Sequence, residues 1–450
     1  MKIALLTLGC KLNFAETATY ERGFLAAGLE VVPWGQAADV CLINTCSVTA
    51  TADSKSRNLV RKMHRLHPEA RIIVTGCSAE LRRAEIERIE GVSRVFGAKE
   101  KGLVVAETLA LRGLPANEPV AEALTAQQSV PTNAPDRVSD YPAIPLEGVQ
   151  GVKANTQQMF AAYSAGLSRT RAFLKVQDGC NNFCKYCTVP YARGESRNLP
   201  IAECVRNAEK IAAEGVREIV LTGVNTGDFG RTTGESFLDL LKALNEVGGI
   251  ERYRISSIEP NLLTEEIVDW IASGTKFQPH FHIPLQTGSD ELLERMGRHY
   301  DTAFFAERIE MIRRKMEHPG APKVFFGIDV MVGLPGETQA LFKETFQFIE
   351  RIHPAFIHVF PYSRRPGTPA ADMPGQVDET TKKHRVAVLE ELCRHLHADF
   401  RTQNHGVHER ALWESTVHDG MMEGYTGNYI RLSRPYDPAL VGTLTDIVID

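Results

Sequence analysis

Short apolar runs alternate with longer amphipathic stretches along most of the chain, the pattern of strand–helix units rather than of hairpins. In residues 1–113 the apolar runs fall at 2–8, 40–44, 71–75 and 95–97. The stretches at 13–27, 54–67 and 78–89 read as helices. Asn13 is placed to cap the first and Gly28 to stop it, while Pro68 ends the second. Strands and helices in this alternation predict a doubly wound α/β domain on a parallel sheet.

Residues 114–165 break the pattern with Pro115, Pro119, Pro131, Pro135, Pro142 and Pro145, and read as a linker or insertion. A second β/α series occupies 166–375, with strands expected at 173–177, 218–224, 253–258, 280–285, 324–332 and 357–362. Helices are expected between them, among others at 201–214, 237–245, 264–273 and 303–315. Six such units suit an open, partial β/α barrel with its site at the strand C-termini. Residues 376–403 read as one charged connecting helix. The segment 404–450 reads as a small β-barrel module with strands at 411–418, 424–432 and 440–449.

Composition changes this picture little: 450 residues, 43% hydrophobic, 24% charged, as in ordinary globular protein. The net charge of −5 gives no global attraction to nucleic acid, so an RNA site has to be a local basic surface. The basic residues Lys55, Arg57, Arg61, Lys62 and Arg65 fall on one helix and are a candidate for it. No window reaches the roughly 18 apolar residues of a membrane span. Gly9-Cys10 after an apolar run resembles a lipoprotein cleavage site, but the run is shorter than a signal core and reads as a buried strand. Nine cysteines without such a signal fit a reducing, cytoplasmic setting in which thiols are kept for metal work.

The cysteines carry the chemistry. Cys180, Cys184 and Cys187 stand as C-x3-C-x2-C, a spacing expected by chance roughly 0.004 times in such a chain. Three thiolates in one loop can hold three irons of a [4Fe–4S] cube and leave the fourth open to chelate S-adenosylmethionine. Zinc or an accidental cluster is the alternative, and tight three-ligand spacing suits it less well. Cys10, Cys46 and Cys77 each follow a predicted strand, in Leu8-Gly9-Cys10, Asn44-Thr45-Cys46 and Thr75-Gly76-Cys77. Ligands collect beyond the carboxyl ends of parallel strands, so these three can meet at one edge and hold a second cluster. The alternative is three unrelated thiols near helix N-termini. Cys41, Cys204 and Cys393 sit in apolar patterns and read as core thiols.

With these motifs the chain resembles the radical S-adenosylmethionine methylthiotransferases over nearly its whole length. The blocks Leu6-Thr7-Leu8-Gly9-Cys10-Lys11-Leu12-Asn13, Asn44-Thr45-Cys46-Ser47-Val48-Thr49 and Thr75-Gly76-Cys77 match the family's auxiliary-cluster domain. The loop from Gly179 to Gly194 matches its radical-cluster motif, and His282-Ile283-Pro284-Leu285-Gln286-Thr287-Gly288 and the stretch from Gly327 to Glu337 match its later barrel motifs. Gly424-Tyr425-Thr426-Gly427-Asn428-Tyr429 resembles the TRAM RNA-binding module. Within the family, Gly-Cys-Lys-Leu-Asn is similar to the branch acting on N6-threonylcarbamoyladenosine in tRNA, whereas the isopentenyladenosine branch tends towards Gly-Cys-Gln-Met-Asn.

The resemblance implies methylthiolation of C2 of N6-threonylcarbamoyladenosine at position 37, beside the anticodon. It implies two [4Fe–4S] clusters and S-adenosylmethionine used both as methyl donor and as radical source. The expected partners are the tRNA anticodon stem-loop, an external one-electron reductant and a sulfur source; a monomer and no membrane are expected. Cys180, Cys184 and Cys187 would ligate the radical cluster, and Cys10, Cys46 and Cys77 the auxiliary one. Tyr186, Thr222, Gly223, Val224, Asn225, Ser257, Glu259, Gln286, Asp329 and Val332 are candidate cofactor contacts. Tyr425, Tyr429 and Arg431 are candidate RNA contacts, and Arg193 and Arg197 are expected to meet a carboxylate or phosphate. Isopentenyladenosine in tRNA, an aspartate of a ribosomal protein, and a non-catalytic Fe–S RNA-binding role remain as alternatives.

Overall fold

The computed structural model describes residues 1–110, 161–164 and 170–450; the expected linker at 114–165 lies outside them except for its last few residues. The first domain is a five-stranded parallel sheet of β1 (Lys2–Thr7), β2 (Glu30–Val32), β3 (Val40–Thr45), β4 (Arg71–Gly76) and β5 (Val92–Phe96), in the order β2-β1-β3-β4-β5. Helices cover both faces, which is why β3 is buried at every position and reads as an unbroken apolar run. The helix Lys11–Ala26 seals one face with Tyr20 and Phe24, both fully buried, each contributing about 2–3 kcal/mol. The helix Ala50–Leu66 seals the other, capped by the Thr49 hydroxyl, which accepts from Ala52 N–H. The single helix expected at 78–89 is two short helices, Cys77–Leu81 and Arg83–Glu87, separated where Arg82 leaves helical geometry at φ −131°. β2 is too short to show as an apolar run.

The central domain places β6 (Tyr163–Ser164) antiparallel to β7 (Arg171–Lys175). A short pair, β8 (Gln177–Asp178) and β9 (Arg197–Asn198), follows. β10 (Glu218–Thr222) and β11 (Arg252–Ile255) continue the sheet in parallel from β7. β12 (His280–Gln286), β13 (Phe325–Val332) and β14 (Phe356–Pro361) form a second parallel sheet. Bridges Tyr253–Phe277 and Ser257–His282 join the two sheets, giving an open barrel of six parallel strands. Strand alternation divides the side chains. Ala172, Leu174, Ile219, Leu221, Ile283, Ile328 and Val330 pack in the apolar core with the helices. Arg171, Lys175, Glu218, Arg254, His282, Asp329 and His358 take the other face and make the lumen polar.

The helix Lys11–Ala26 packs against β6 and β7, so the first domain stands at the open side of the barrel; the helix Glu379–Gln403 packs against β14. The C-terminal module is an antiparallel sheet of β15 (His408–His418), β16 (Met421–Thr426), β17 (Arg431–Pro435) and β18 (Leu444–Val448), in the order β17-β16-β15-β18. The single strand expected at 424–432 is therefore interrupted. A turn at 427–430 carries Tyr429 at φ 67°, and its hydrogen bonds run from Thr426 N to Ile430 O and from Tyr429 N to Thr426 O. No helix among the described residues is long and apolar enough to cross a membrane.

Candidate functional site

The register Thr7–Asn44–Thr75 aligns the carboxyl ends of β1, β3 and β4, so the cysteines that follow them emerge side by side. Cys10 is exposed at the N-terminus of the helix Lys11–Ala26, while Cys46 and Cys77 are buried. Two glycines permit the approach. Gly9, at φ 103°, would drive a β-carbon to 2.7 Å from Cys46 Cβ, and Gly76, at φ 100°, would drive one to 2.3 Å from Thr45 O. Asn13 braces the edge, its Nδ2 donating to Leu8 O at 2.8 Å and Thr45 O at 3.0 Å. Burial pushes the Cys46 thiol up to about 11 and raises Cys77, and each of these two thiols feels the charge of Cys10.

Cys180, Cys184 and Cys187 occupy the loop after β8, and each sulfur accepts one N–H. Asn182 N donates to Cys180 Sγ at 3.5 Å, Val189 N to Cys187 Sγ at 3.4 Å, and Arg298 Nη1 to Cys184 Sγ at 3.1 Å. Burial pushes Cys180 up to about 12 and raises Cys187 further, with Cys184 adding to both. Thiols this costly to ionise alone become thiolates readily against metal ions, and N–H donors aimed at the sulfurs are what iron–sulfur ligands receive. By this measure Cys180, Cys184 and Cys187 fit a cluster with three protein ligands, while Cys10, Cys46 and Cys77 offer three thiols at one sheet edge.

Arg298 was not legible in the sequence, where it stands in a turn without a motif. Besides Cys184 it reaches Tyr186 Oη at 3.4 Å, Glu259 Oε2 at 2.5 Å and Tyr300 Oη at 3.0 Å. Glu259, expected near the cofactor, is thus held by one guanidinium to the cysteine loop, of which Tyr186 is already a part. Thr222, Gly223, Val224 and Asn225 do follow β10, but the backbone N–H groups of Val224 and Asn225 are both donated to Gln177 Oε1 at 2.9 Å. Gln177 thus holds the two backbone donors expected to face the cofactor. Asn225 Oδ1 is left buried without a hydrogen-bond partner among the described residues. Ser257 spends its carbonyl on the Thr226 hydroxyl at 2.9 Å. Gln286 ends β12 at φ 71°, beside a register shift. Non-glycine residues held in that region cluster at functional sites. Val332 packs its side chain in the apolar core, and its carbonyl accepts from Tyr362 N at 2.8 Å. Asp329 faces His282, Oδ1 to Nε2 at 2.9 Å, and His358 stacks on His282 at 5.0 Å.

A buried ionic network joins the two cysteine sets. Arg193 Nη1 meets Asp178 at 2.9 Å and Glu16 at 3.2 Å, and Nη2 donates to Asn13 Oδ1 at 2.6 Å. Lys175 pairs with Asp178 at 2.7 Å and Glu16 at 2.9 Å, Lys101 with Glu16 at 2.9 Å, and Arg197 with Asp178 at 3.2 Å. Arg193 and Arg197 thus meet a carboxylate, as their positions after the loop led us to expect. Four cations face two carboxylates, and against the raising effect of burial they hold both carboxyls below the usual carboxylate range. The residual positive charge also favours anionic occupants at Cys46 and Cys77, which Arg193 biases towards thiolate. A second clamp lies on the far side of Cys46, where Arg365 donates to Ser47 Oγ at 2.9 Å and pairs with Asp53.

The candidate RNA residues separate. Tyr429 is turned into the protein, where Arg171 Nη1 donates to its hydroxyl at 3.2 Å and Arg254 lies 4.8 Å from its ring centre. Its ring also packs on His280 and Phe325. The ring expected to stack on a base thus makes these contacts inside the protein. Tyr425 sits 4.7 Å from Arg171 and is half-buried. Arg431 is exposed and paired only with Glu423 at 3.3 Å among the described residues. On the first domain, Lys55, Arg61, Lys62 and Arg65 are exposed, and Arg57 pairs with Glu85 at 3.7 Å. Cys41, Cys204 and Cys393 are buried in apolar surroundings as expected.

Residues 174–349 match the Radical SAM superfamily, and residues 2–97 match the family described as uncharacterized protein family UPF0004. The chain is 35% identical to threonylcarbamoyladenosine tRNA methylthiotransferase MtaB of Bacillus subtilis, covering 99% of this chain and 93% of that one. It is 33% identical to the protein of the same name from Aquifex aeolicus, covering 96% and 97%. It is 30% identical to tRNA-2-methylthio-N(6)-dimethylallyladenosine synthase of Carboxydothermus hydrogenoformans, covering 90% and 86%. Among solved structures it shares its fold with the radical S-adenosylmethionine methyltransferase TsrM from Kitasatospora setae. That match has a TM-score of 0.54 at 16% identity and covers 82% of this chain and 74% of that one. Two matched models and near-complete alignment to named methylthiotransferases establish that the chain belongs to the radical S-adenosylmethionine methylthiotransferase family.

Proposed function

We propose that the protein adds a methylthio group to C2 of N6-threonylcarbamoyladenosine at position 37 of tRNA. The observation that carries this reading is the pairing of two cysteine triads across one buried arginine, Arg193, in a chain aligned end to end with relatives of that name. Cys180, Cys184 and Cys187 would hold the [4Fe–4S] cluster that goes with a radical S-adenosylmethionine fold, and Cys10, Cys46 and Cys77 a second. When bound, these groups and S-adenosylmethionine supply the electron, the carbon-centred radical and the sulfur, which no side chain could provide for an unactivated aromatic C–H bond.

The chain's own residues position and shield. Arg298 ties Cys184 and Tyr186 of the cysteine loop to Glu259, which follows β11. Gln177 fixes the turn after β10, leaving the buried Asn225 Oδ1 for a polar group of the cofactor. Gln286, Ser257 and Asp329 complete the rim and wall. Arg193, Glu16 and Asp178 hold the two cysteine edges at a set separation, and burial of that network keeps water out. The exposed cations Lys55, Arg61, Lys62, Arg65 and Arg431 are the proposed contacts to the anticodon stem-loop. A cytoplasmic monomer served by an external reductant and sulfur source completes the reading.

The test is anaerobic reconstitution with iron and sulfide, then mass spectrometry of nucleosides from tRNA incubated with S-adenosylmethionine and dithionite. A methylthio mass gain on threonylcarbamoyladenosine is expected. A gain on isopentenyladenosine alone would move the protein to the other tRNA branch, and no gain on either would overturn the reading.

A further inference from the structure

Three adjacent strands of the barrel bring two imidazoles and a carboxylate together: His282 on β12, Asp329 on β13 and His358 on β14. Asp329 stands directly opposite His358, and His282 stands opposite Gly327, two residues before Asp329. Their strand neighbours Phe281, Ile283, Ile328, Val330 and Ile357 pack in the apolar core, so alternation turns all three towards the lumen. One ligand atom from each, a ring nitrogen or a carboxylate oxygen, lies within 4.8 Å of the other two.

The closest pair shows what the group is built for. His282 Nε2 is 2.9 Å from Asp329 Oδ1, yet that nitrogen is buried and has no hydrogen-bond partner among the described residues. At this distance a hydrogen bond fails only through direction, so the nitrogen does not aim at the oxygen. An unaligned contact offsets little of the cost of burying a polar nitrogen. Metal bonds of about 2.1 Å hold two ligand atoms at right angles about 3 Å apart, each aimed at the ion and not at the other. His358 lies with its ring at 10° to that of His282 and 5.0 Å from it. It is exposed and makes no side-chain hydrogen bond or ion pair among the described residues, so its nitrogen is free to swing in as the third ligand. Two imidazoles and a carboxylate suit a divalent first-row cation and leave coordination positions open. We propose that His282, Asp329 and His358 bind one divalent transition-metal ion in the barrel lumen, using none of the six cysteines assigned to clusters. The remaining positions on the ion fall to water or to an oxygen donor of a bound molecule. Strands carry all three ligands, so sheet register sets the site. It does not depend on which nucleoside is modified, and its occupancy can be read without RNA.

The experiment uses the full-length protein, reconstituted anaerobically with iron and sulfide so that the cysteines are occupied, then washed with a chelator. Mn2+ is titrated in and read by electron paramagnetic resonance, with Zn2+ followed in parallel by calorimetry. Wild type is expected to bind about one cation per chain, and the bound Mn2+ to show coupling to two imidazole nitrogens. H282Q and H358A are each expected to weaken binding at least about tenfold and to remove one of the two nitrogen couplings, with cluster iron unchanged. Saturable binding of neither cation by wild type would overturn the inference. So would binding undiminished in both variants, or fewer than two imidazole couplings in wild type. Should H282Q lose its cluster iron and with it the fold, the exposed H358A and the wild-type nitrogen count decide: a coupling lost on changing His358 supports the site, and two couplings kept overturn it.

Discussion

Arg193 donates from Nη2 to Asn13 Oδ1 across 2.6 Å, and this contact links the loop of one cysteine set to the edge of the other. Asn13 lies in the first turn of the helix that begins beside Cys10 and also holds the backbone of Leu8 and Thr45. Arg193 ends the short helix Val189–Arg193 after Cys187 and is anchored by Asp178. The separation of the two cysteine sets is thereby set through hydrogen bonds, not through chain connectivity.

Replacing Arg193 by lysine keeps a charge but loses the planar fork that reaches Asn13, Glu16 and Asp178 together. R193K is expected to bind iron as wild type does and to cleave S-adenosylmethionine, but to transfer methylthio groups at least about tenfold more slowly, since small misplacements of reacting centres are costly. The ratio of 5′-deoxyadenosine to methylthiolated nucleoside measures it. An unchanged ratio would show that Arg193 does not set the geometry.

Removing the cysteine sets separately divides the chemistry. The triple change C10A/C46A/C77A is expected to reduce bound iron from about eight to about four per chain, leaving S-adenosylmethionine cleavage and abolishing transfer. C180A is expected to abolish cleavage itself. Iron analysis and product assays read both, and cleavage lost in the first variant would contradict two independent sites.

Acid is expected to loosen the domain junction. The carboxyls of Glu16 and Asp178 are held below their ordinary values of 4.5 and 3.8 by Lys101, Lys175, Arg193 and Arg197. A carboxyl whose pKa falls on folding contributes stability that is complete above its unfolded value and is lost as pH drops towards the folded one. Denaturation midpoints should therefore hold steady down to roughly pH 5 and decline below it. In E16Q the Glu16 part of that decline should be missing, on a lower plateau.

Arg254 is almost fully buried and holds the C-terminal module on the barrel through Gly427 O and Thr426 O, each at 2.7 Å, with Glu218 as its counter-ion. R254M strands that carboxylate, a loss of about 3–5 kcal/mol for a broken buried pair. Limited proteolysis should then cut near residue 404 before the barrel is attacked, and binding of the stem-loop RNA should weaken. Protection equal to wild type would place the docking energy elsewhere.

Much of the architecture was legible because its signals are local. The strands at 2–7, 40–45 and 71–76 announce themselves as largely apolar runs, and helix Phe237–Asn245 as a period of 3.6. Both cysteine sets could also be read, one from spacing within a single loop, the other from its repeated place after strands. Chain order alone could not tell that Gln177 would take the N–H groups of Val224 and Asn225, that Tyr429 would turn inward onto Arg171 and Arg254, or that Arg298 would serve Cys184, Tyr186 and Glu259. Each is a polar contact between residues far apart in sequence, decided by which side chains the packing of three domains strands away from water. Periodicity reports which face of an element is apolar; only the tertiary structure decides which buried polar group finds which partner, because an unpaired one costs more than almost any local preference can offset.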